Sequence, residues 1–201
     1  MTVKAFLSVL AIALTFYAFW PYIRAIRCGQ TRPHVFSWII WSLTTFVVFL
    51  AQLSDGGGLG AWPIGISGLI TIYVAFLAYS HQADATITQI DWWFLGLALA
   101  SLPLWYLTSD ALWAVVVLTG VDLLGFGPTF RKAYLKPFEE QLRFYSLMGF
   151  RNLLAIIALE NYSATTMLFP GLLLLACVIF IAMVLLRRKT LSIDDACRGE
   201  D

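Results

Sequence analysis

Charge is what this chain of 201 residues has least of. Asp, Glu, Lys and Arg make up 12% of it, against about 25% in an ordinary soluble domain. Cysteine and histidine are scarce too, at three and two residues. Cys28, Cys177 and Cys197 form no Cys-x-x-Cys pair, and none falls on an outer segment, so no structural disulfide is expected. His34 and His81 have no partner ligands at metal spacing and are read as solvated loop residues, so no metal site is expected. The chain spells neither His-Glu-x-x-His nor Gly-x-Ser-x-Gly, which leaves no catalytic constellation, no enzyme and no cofactor. The glycines of Ser54–Trp62 (SDGGGLGAW) are not followed by Gly-Lys-[Ser/Thr]; the stretch is expected to be a flexible outer turn rather than a phosphate loop. The last apolar run contains no lysine, which excludes a retinal Schiff base.

Apolar residues fill the space that charge leaves. They are 60% of the chain, and the mean hydropathy is +0.81. They fall into seven runs, roughly 5–24, 34–53, 60–80, 91–107, 111–130, 141–160 and 164–186. Each approaches the ~20 residues with which a helix crosses ~30 Å of hydrocarbon. The fourth is the shortest, with Trp92, Trp93, Trp105 and Tyr106 placed to anchor its ends at the interfaces. The expected fold is therefore an all-α polytopic membrane protein with seven transmembrane helices. Lys4 before Ala11-Ile12-Ala13 invites a signal-peptide reading, but the apolar stretch ahead of that site is shorter than the ~7–15 residues of such a region.

Basic residues set the expected orientation. With the N-terminus outside, eleven Lys and Arg lie at or within the inner boundary, on segments 25–33, 81–90, 131–140 and the tail from 187; only Lys4 lies outside. The positive-inside rule then selects an outer N-terminus and a cytoplasmic C-terminus. The same asymmetry accounts for the basic residues topologically and argues against a nucleic-acid partner. Asn161-Tyr162-Ser163 matches a glycosylation sequon but lies so close to a helix end that it reads as a chance match.

One phrase is written twice. Pro21 to Pro63 spans 42 residues, and so does Pro128 to Pro170, at a shift of 107. PYIR and PTFR follow the same pattern, each leading through a short basic loop to Phe36-Ser37-Trp38 or Phe144-Tyr145-Ser146. The organisation reads as a three-helix repeat (1–80), an inner loop and linker helix (81–107), a second three-helix repeat (108–187) and a cytoplasmic tail (188–201). The single linker span restores parallel orientation to two units of three spans. Parallel repeats about a central path are a transporter plan. Prolines 21, 63, 128 and 170 are expected to be bends on which the halves rock.

On these features the chain resembles the PQ-loop superfamily, which includes the SWEET sugar transporters, lysosomal amino-acid exporters and the KDEL receptor. The resemblance covers nearly the whole chain and lies in topology; the Pro-Gln pair itself is replaced by Pro21-Tyr22 and Pro128-Thr129. It implies transport of a small polar solute by alternating access, with proton coupling left open. The alternative is a ligand receptor or sensor on the same scaffold. The expected surroundings are the lipid bilayer of a bacterial inner membrane; a homo-oligomer remains open.

Two charges stand well inside the runs, Asp122 and Arg151. Intramembrane charge costs ~2.5–3.5 kcal/mol per residue even on the mild insertion scale, so it usually marks a site. Placed on adjacent antiparallel helices at one depth, the two are expected to be within reach of a salt bridge. Asn152 points ~100° away from Arg151 on a helix, so one of the two is expected to face the centre. The first copy has Thr15 opposite Asp122, and offers Trp38 and Trp41 one turn apart as an aromatic platform, with Thr44 next on that face. Ser67, Thr71 and Tyr17 complete the candidate hydrogen-bonding set.

Overall fold

The computed structural model describes residues 2–30, 35–80, 89–135, 137–139 and 142–198. His34, His81 and Arg32 lie outside them, as do the other residues from 81 to 88. The described chain is helical throughout: α1 (Val3–Arg27), α2 (Val35–Ser54), α3 (Trp62–Ser80), α4 (Gln89–Thr108), α5 (Ala111–Leu135), α6 (Leu142–Ala158) and α7 (Ala164–Arg198), with 3-10 turns at Gly58–Ala61 and Pro137–Glu139. Among the described residues, four segments are long and apolar enough to cross a membrane: Val3–Arg27, Val35–Ser54, Gly58–Ser80 and Ala164–Leu191. The seven apolar runs coincide with the seven α-helices to within a few residues at most ends. The exception is α7, which continues as helix through Arg198, where a tail was expected after 187.

Large apolar side chains remain on the outside of this bundle, among them Phe16, Phe76, Tyr79, Leu107, Val178 and Leu186. Water would not tolerate so much contiguous apolar surface, but hydrocarbon does. The composition of the buried set is also that of a membrane bundle. Alanine, serine, threonine and glycine are frequent at helix contacts, where they let backbones approach. Gly65 of α3 meets the Phe49 ring of α2 so closely that a Cβ would lie 2.7 Å from it. Gly149 of α6 faces Cys177 of α7 less tightly, a Cβ there lying 3.3 Å from the cysteine Cβ.

The neighbours of each helix are the feature that positions the site. α3 packs against both α1 and α2, and α7 against both α5 and α6. The two triplets join twice, α1 to α6 and α2 to α5, so that α1, α3, α2, α5, α7 and α6 follow one another as a closed ring. α4 stands beside α5 and α2, outside that ring. Helix directions follow from cross-contacts. Near the start of α1, Lys4 bonds to Leu159 O just past the end of α6, so α1 is antiparallel to α6, and Ser8 bonds to Leu59 O in the 3-10 turn that leads into α3, so α1 is parallel to α3. Thr44 with Asp122, and Trp41 with Gly125, make α2 antiparallel to α5.

Two expectations about local structure change. Pro63 does not bend a helix: it is the second residue of α3, a first-turn position where its missing N–H leaves no interior bond unmade. Pro21, Pro128 and Pro170 do lie inside α1, α5 and α7, each assigned as one continuous helix. The glycine-rich stretch after α2 is a fitted turn, because Gly60 and Ala61 are buried and a Cβ on Gly60 would lie 2.4 Å from the backbone nitrogen of Leu159.

Candidate functional site

Midway along four helices, polar side chains are buried, Thr44 against Asp122 and Arg151 against Asn152, while the Thr15 hydroxyl bonds back to Ala11 O. Thr15 is the thirteenth of 25 residues in α1, Thr44 the tenth of 20 in α2, Asp122 the twelfth of 25 in α5, and Arg151 the tenth of 17 in α6. Each is therefore close to half-depth. Their exposures are 0% for Thr15 and Thr44, 7% for Asp122, 2% for Arg151 and 1% for Asn152.

Asp122 and Arg151 are not partners. The expectation of adjacent helices fails because α7 lies between α5 and α6, packing on each of them. The Thr44 hydroxyl donates instead to Asp122 Oδ1 at 2.8 Å, across the α2–α5 seam. The same hydroxyl is 3.1 Å from the carbonyl oxygen of Trp41. A hydroxyl has one hydrogen to donate, so the carboxylate and this carbonyl compete for it. Arg151 Nη1 donates to Asn152 Oδ1 at 2.6 Å, and Nε is buried without a partner. Asn152 thus belongs with Arg151, contrary to the expectation from helical angle: the long guanidinium folds back to the neighbouring residue.

The aromatic expectation is met in position but not in geometry. Trp38 and Trp41 have ring centroids 5.3 Å apart and planes at 86°, so they form an edge-to-face pair rather than a flat platform. Trp38 is packed among Phe19, Tyr22, Ile70 and Val74 in a core on the Arg24 and Arg27 side of the polar level. Trp41 is partly buried and lies next to the site, with its indole nitrogen 3.3 Å from where a Cβ on Gly125 would be. Any side chain at 125 would push that indole away, so glycine here leaves room for it.

Ser67 and Thr71 are buried on α3, and the Thr71 hydroxyl bonds back to Gly68 O at 2.8 Å; neither bonds to the charged residues. Tyr17 is 52% exposed, on an outer face of α1, with the Arg143 guanidinium 5.1 Å above its ring. It belongs to a surface cation–π contact and not to the central cluster.

Sequence reasoning missed a second polar level at the end where α1 begins. Gln52 Nε2 donates to Thr166 O at 2.7 Å, Asn161 Nδ2 to Asp55 O at 2.8 Å, and the Ser163 hydroxyl to Asp55 Oδ2. Lys4 Nζ reaches Leu159 O at 2.5 Å and stands over the Tyr162 ring. Every one of these contacts ties residues 2–59 to residues 159–166, so the end is latched shut between the halves of the chain. Gln52, a polar residue at the end of an apolar run, was the one signal that could have revealed it. The bond from Asn161 also gives the sequon asparagine a structural task.

Compared with family models, curated proteins and solved structures, the chain matches none.

Proposed function

We propose that the protein carries a small polar solute across a membrane by alternating access, with the half-depth polar cluster as its site. One observation carries this reading: buried, charged groups sit halfway along the helices of a closed ring, and the bundle is latched by hydrogen bonds at one end. Structural fastening would place such groups in direct pairs. Here the acid is bonded to a hydroxyl of the other half, while the base has a donor to spare. Charge kept at this depth, where it is expensive, fits a path for solute.

The reading includes seven spans and two parallel repeats. The ring supports it, because exchanging α1 with α5, α2 with α6 and α3 with α7 reproduces each neighbour relation in the ring. The shift of 107 residues pairs Asp122 with Thr15, and Arg151 with Thr44. The Thr44–Asp122 contact on the α2–α5 seam then has its counterpart in Arg151 and Thr15 on the α6–α1 seam. The second half carries a charge at both of the equivalent places, an acid at 122 and a base at 151, where the first half has threonine at 15 and 44. The N-terminus is placed outside and the C-terminus inside a bacterial inner membrane, so the latched end faces outward. Reporter fusions check this directly: a reporter at Ser163 read in the cytoplasm would reverse the orientation.

Flux separates transport from the alternative of a receptor on this scaffold. Purified protein in proteoliposomes is expected to exchange labelled solute across the bilayer, and Asp122→Asn to reduce that exchange while the protein stays folded in detergent. Saturable binding without flux would overturn the transport reading.

A further inference from the structure

We infer that the ligand of this site carries a carboxylate, which Arg151 binds through the Nε–Nη2 edge of its guanidinium. The inference rests on the reading of the half-depth cluster as a solute site, and adds the chemical class of the solute.

Arginine keeps its charge in a protein interior, and a buried charge without an opposite partner is among the most destabilising features a fold can hold. Arg151 is 2% exposed. Its hydrogen-bond partner is the neutral amide of Asn152, which can accept a bond but cannot balance a charge. The other buried charge near its depth, Asp122, is occupied by Thr44 on the far seam. Asn152 meets Nη1 and leaves Nε buried and unpartnered. The guanidinium is therefore held by one corner, with its adjacent edge unused. Two parallel N–H groups on that edge match the two oxygens of a carboxylate, the bidentate arrangement in which arginine binds most strongly. A neutral sugar or alcohol would supply hydrogen-bond acceptors there but no charge.

Asn152 acts as a positioning residue, since its oxygen fixes which edge of Arg151 is available. A carboxylate at position 152 would supply the missing anion from within the chain. Asn152→Asp should thus raise stability and remove binding together, a combination that simple damage to a site does not produce.

The test uses the purified full chain in detergent, with propionate, alanine, the neutral isostere propionamide, and chloride as probes, by calorimetric titration and thermal unfolding. Propionate or alanine is expected to bind saturably, and propionamide and chloride at least ~10-fold more weakly, the difference that losing one charge-assisted pair of bonds makes. Arg151→Lys keeps the charge but not the fork and is expected to weaken carboxylate binding ~10–100-fold. Asn152→Asp is expected to abolish it while raising the unfolding midpoint by at least ~2 °C. Propionamide or chloride binding as tightly as the carboxylates, or Asn152→Asp binding them undiminished, would overturn the inference. Failure of both carboxylates to bind, with flux of a neutral solute observed, would overturn it and leave transport standing. Carboxylate binding without any flux would do the reverse.

Discussion

Replacing Thr44 by valine removes one hydroxyl and keeps the side-chain shape, which isolates the bond to Asp122. Thr44 is fully buried, the oxygen–oxygen distance is 2.8 Å, and no other hydrogen-bond donor to Asp122 occurs among the described residues. A hydrogen bond to a charged group contributes ~1.5–3 kcal/mol, and its loss leaves the acceptor desolvated without a partner. For a chain of this length each kcal/mol moves the unfolding midpoint by ~2–4 °C, so Thr44→Val should lower it by ~3–12 °C. The competing Trp41 carbonyl does not offset this, because in valine it too loses the hydroxyl. Asp122→Leu removes the acceptor instead, and in that background Thr44→Val should cost far less, with a coupling energy of at least ~1 kcal/mol. Asp122→Asn keeps an oxygen that can accept from Thr44, so it should destabilise less than Asp122→Ala. The assay is thermal or chaotrope unfolding in one detergent for all four corners of the cycle. A coupling below ~0.5 kcal/mol, or an unchanged midpoint for Thr44→Val, would refute the bond as a determinant of the α2–α5 seam.

Two further outcomes follow from the packing. Cysteines replacing Asp55 and Ser163, which touch across the latched end, should cross-link under mild oxidation and arrest flux until reduced; undiminished flux in the cross-linked protein would show that this end need not open. Gly60→Ala places a methyl 2.4 Å from a backbone nitrogen of Leu159, which rigid backbone cannot avoid, and should destabilise by ~1–3 kcal/mol of overpacking; Gly96→Ala, with open space around it, should be neutral or mildly stabilising in the same unfolding assay.

Much of the fold could be read one residue at a time. Whether a segment of ~20 residues is apolar enough to lie in hydrocarbon is a property of that segment, and backbone polar groups leave it no regular choice but a helix unless a barrel closes. Hence the runs and the helices coincide, and Asp122, Arg151, Thr44 and Asn152 stood out in the sequence as polar residues at costly positions. Which helix touches which is a different kind of fact. It depends on surfaces contributed by residues far apart in the chain, such as Gly65 against Phe49 or Gly149 against Cys177, where small residues let one pair of backbones approach more closely than another. Consecutive helices need not be neighbours, and α7 between α5 and α6 removes the ion pair that a sequential arrangement suggested. Side-chain direction has the same origin. Trp38, Trp41 and Tyr17 carry the same aromatic chemistry in the sequence, yet packing turns one into core, leaves one beside the site and puts one outside. The sequence alone determined which segments can enter a membrane and which residues are costly there. The tertiary structure decided their partners, because a hydrogen bond reaches only ~3 Å and the groups that come that close are chosen by the packing of whole helices.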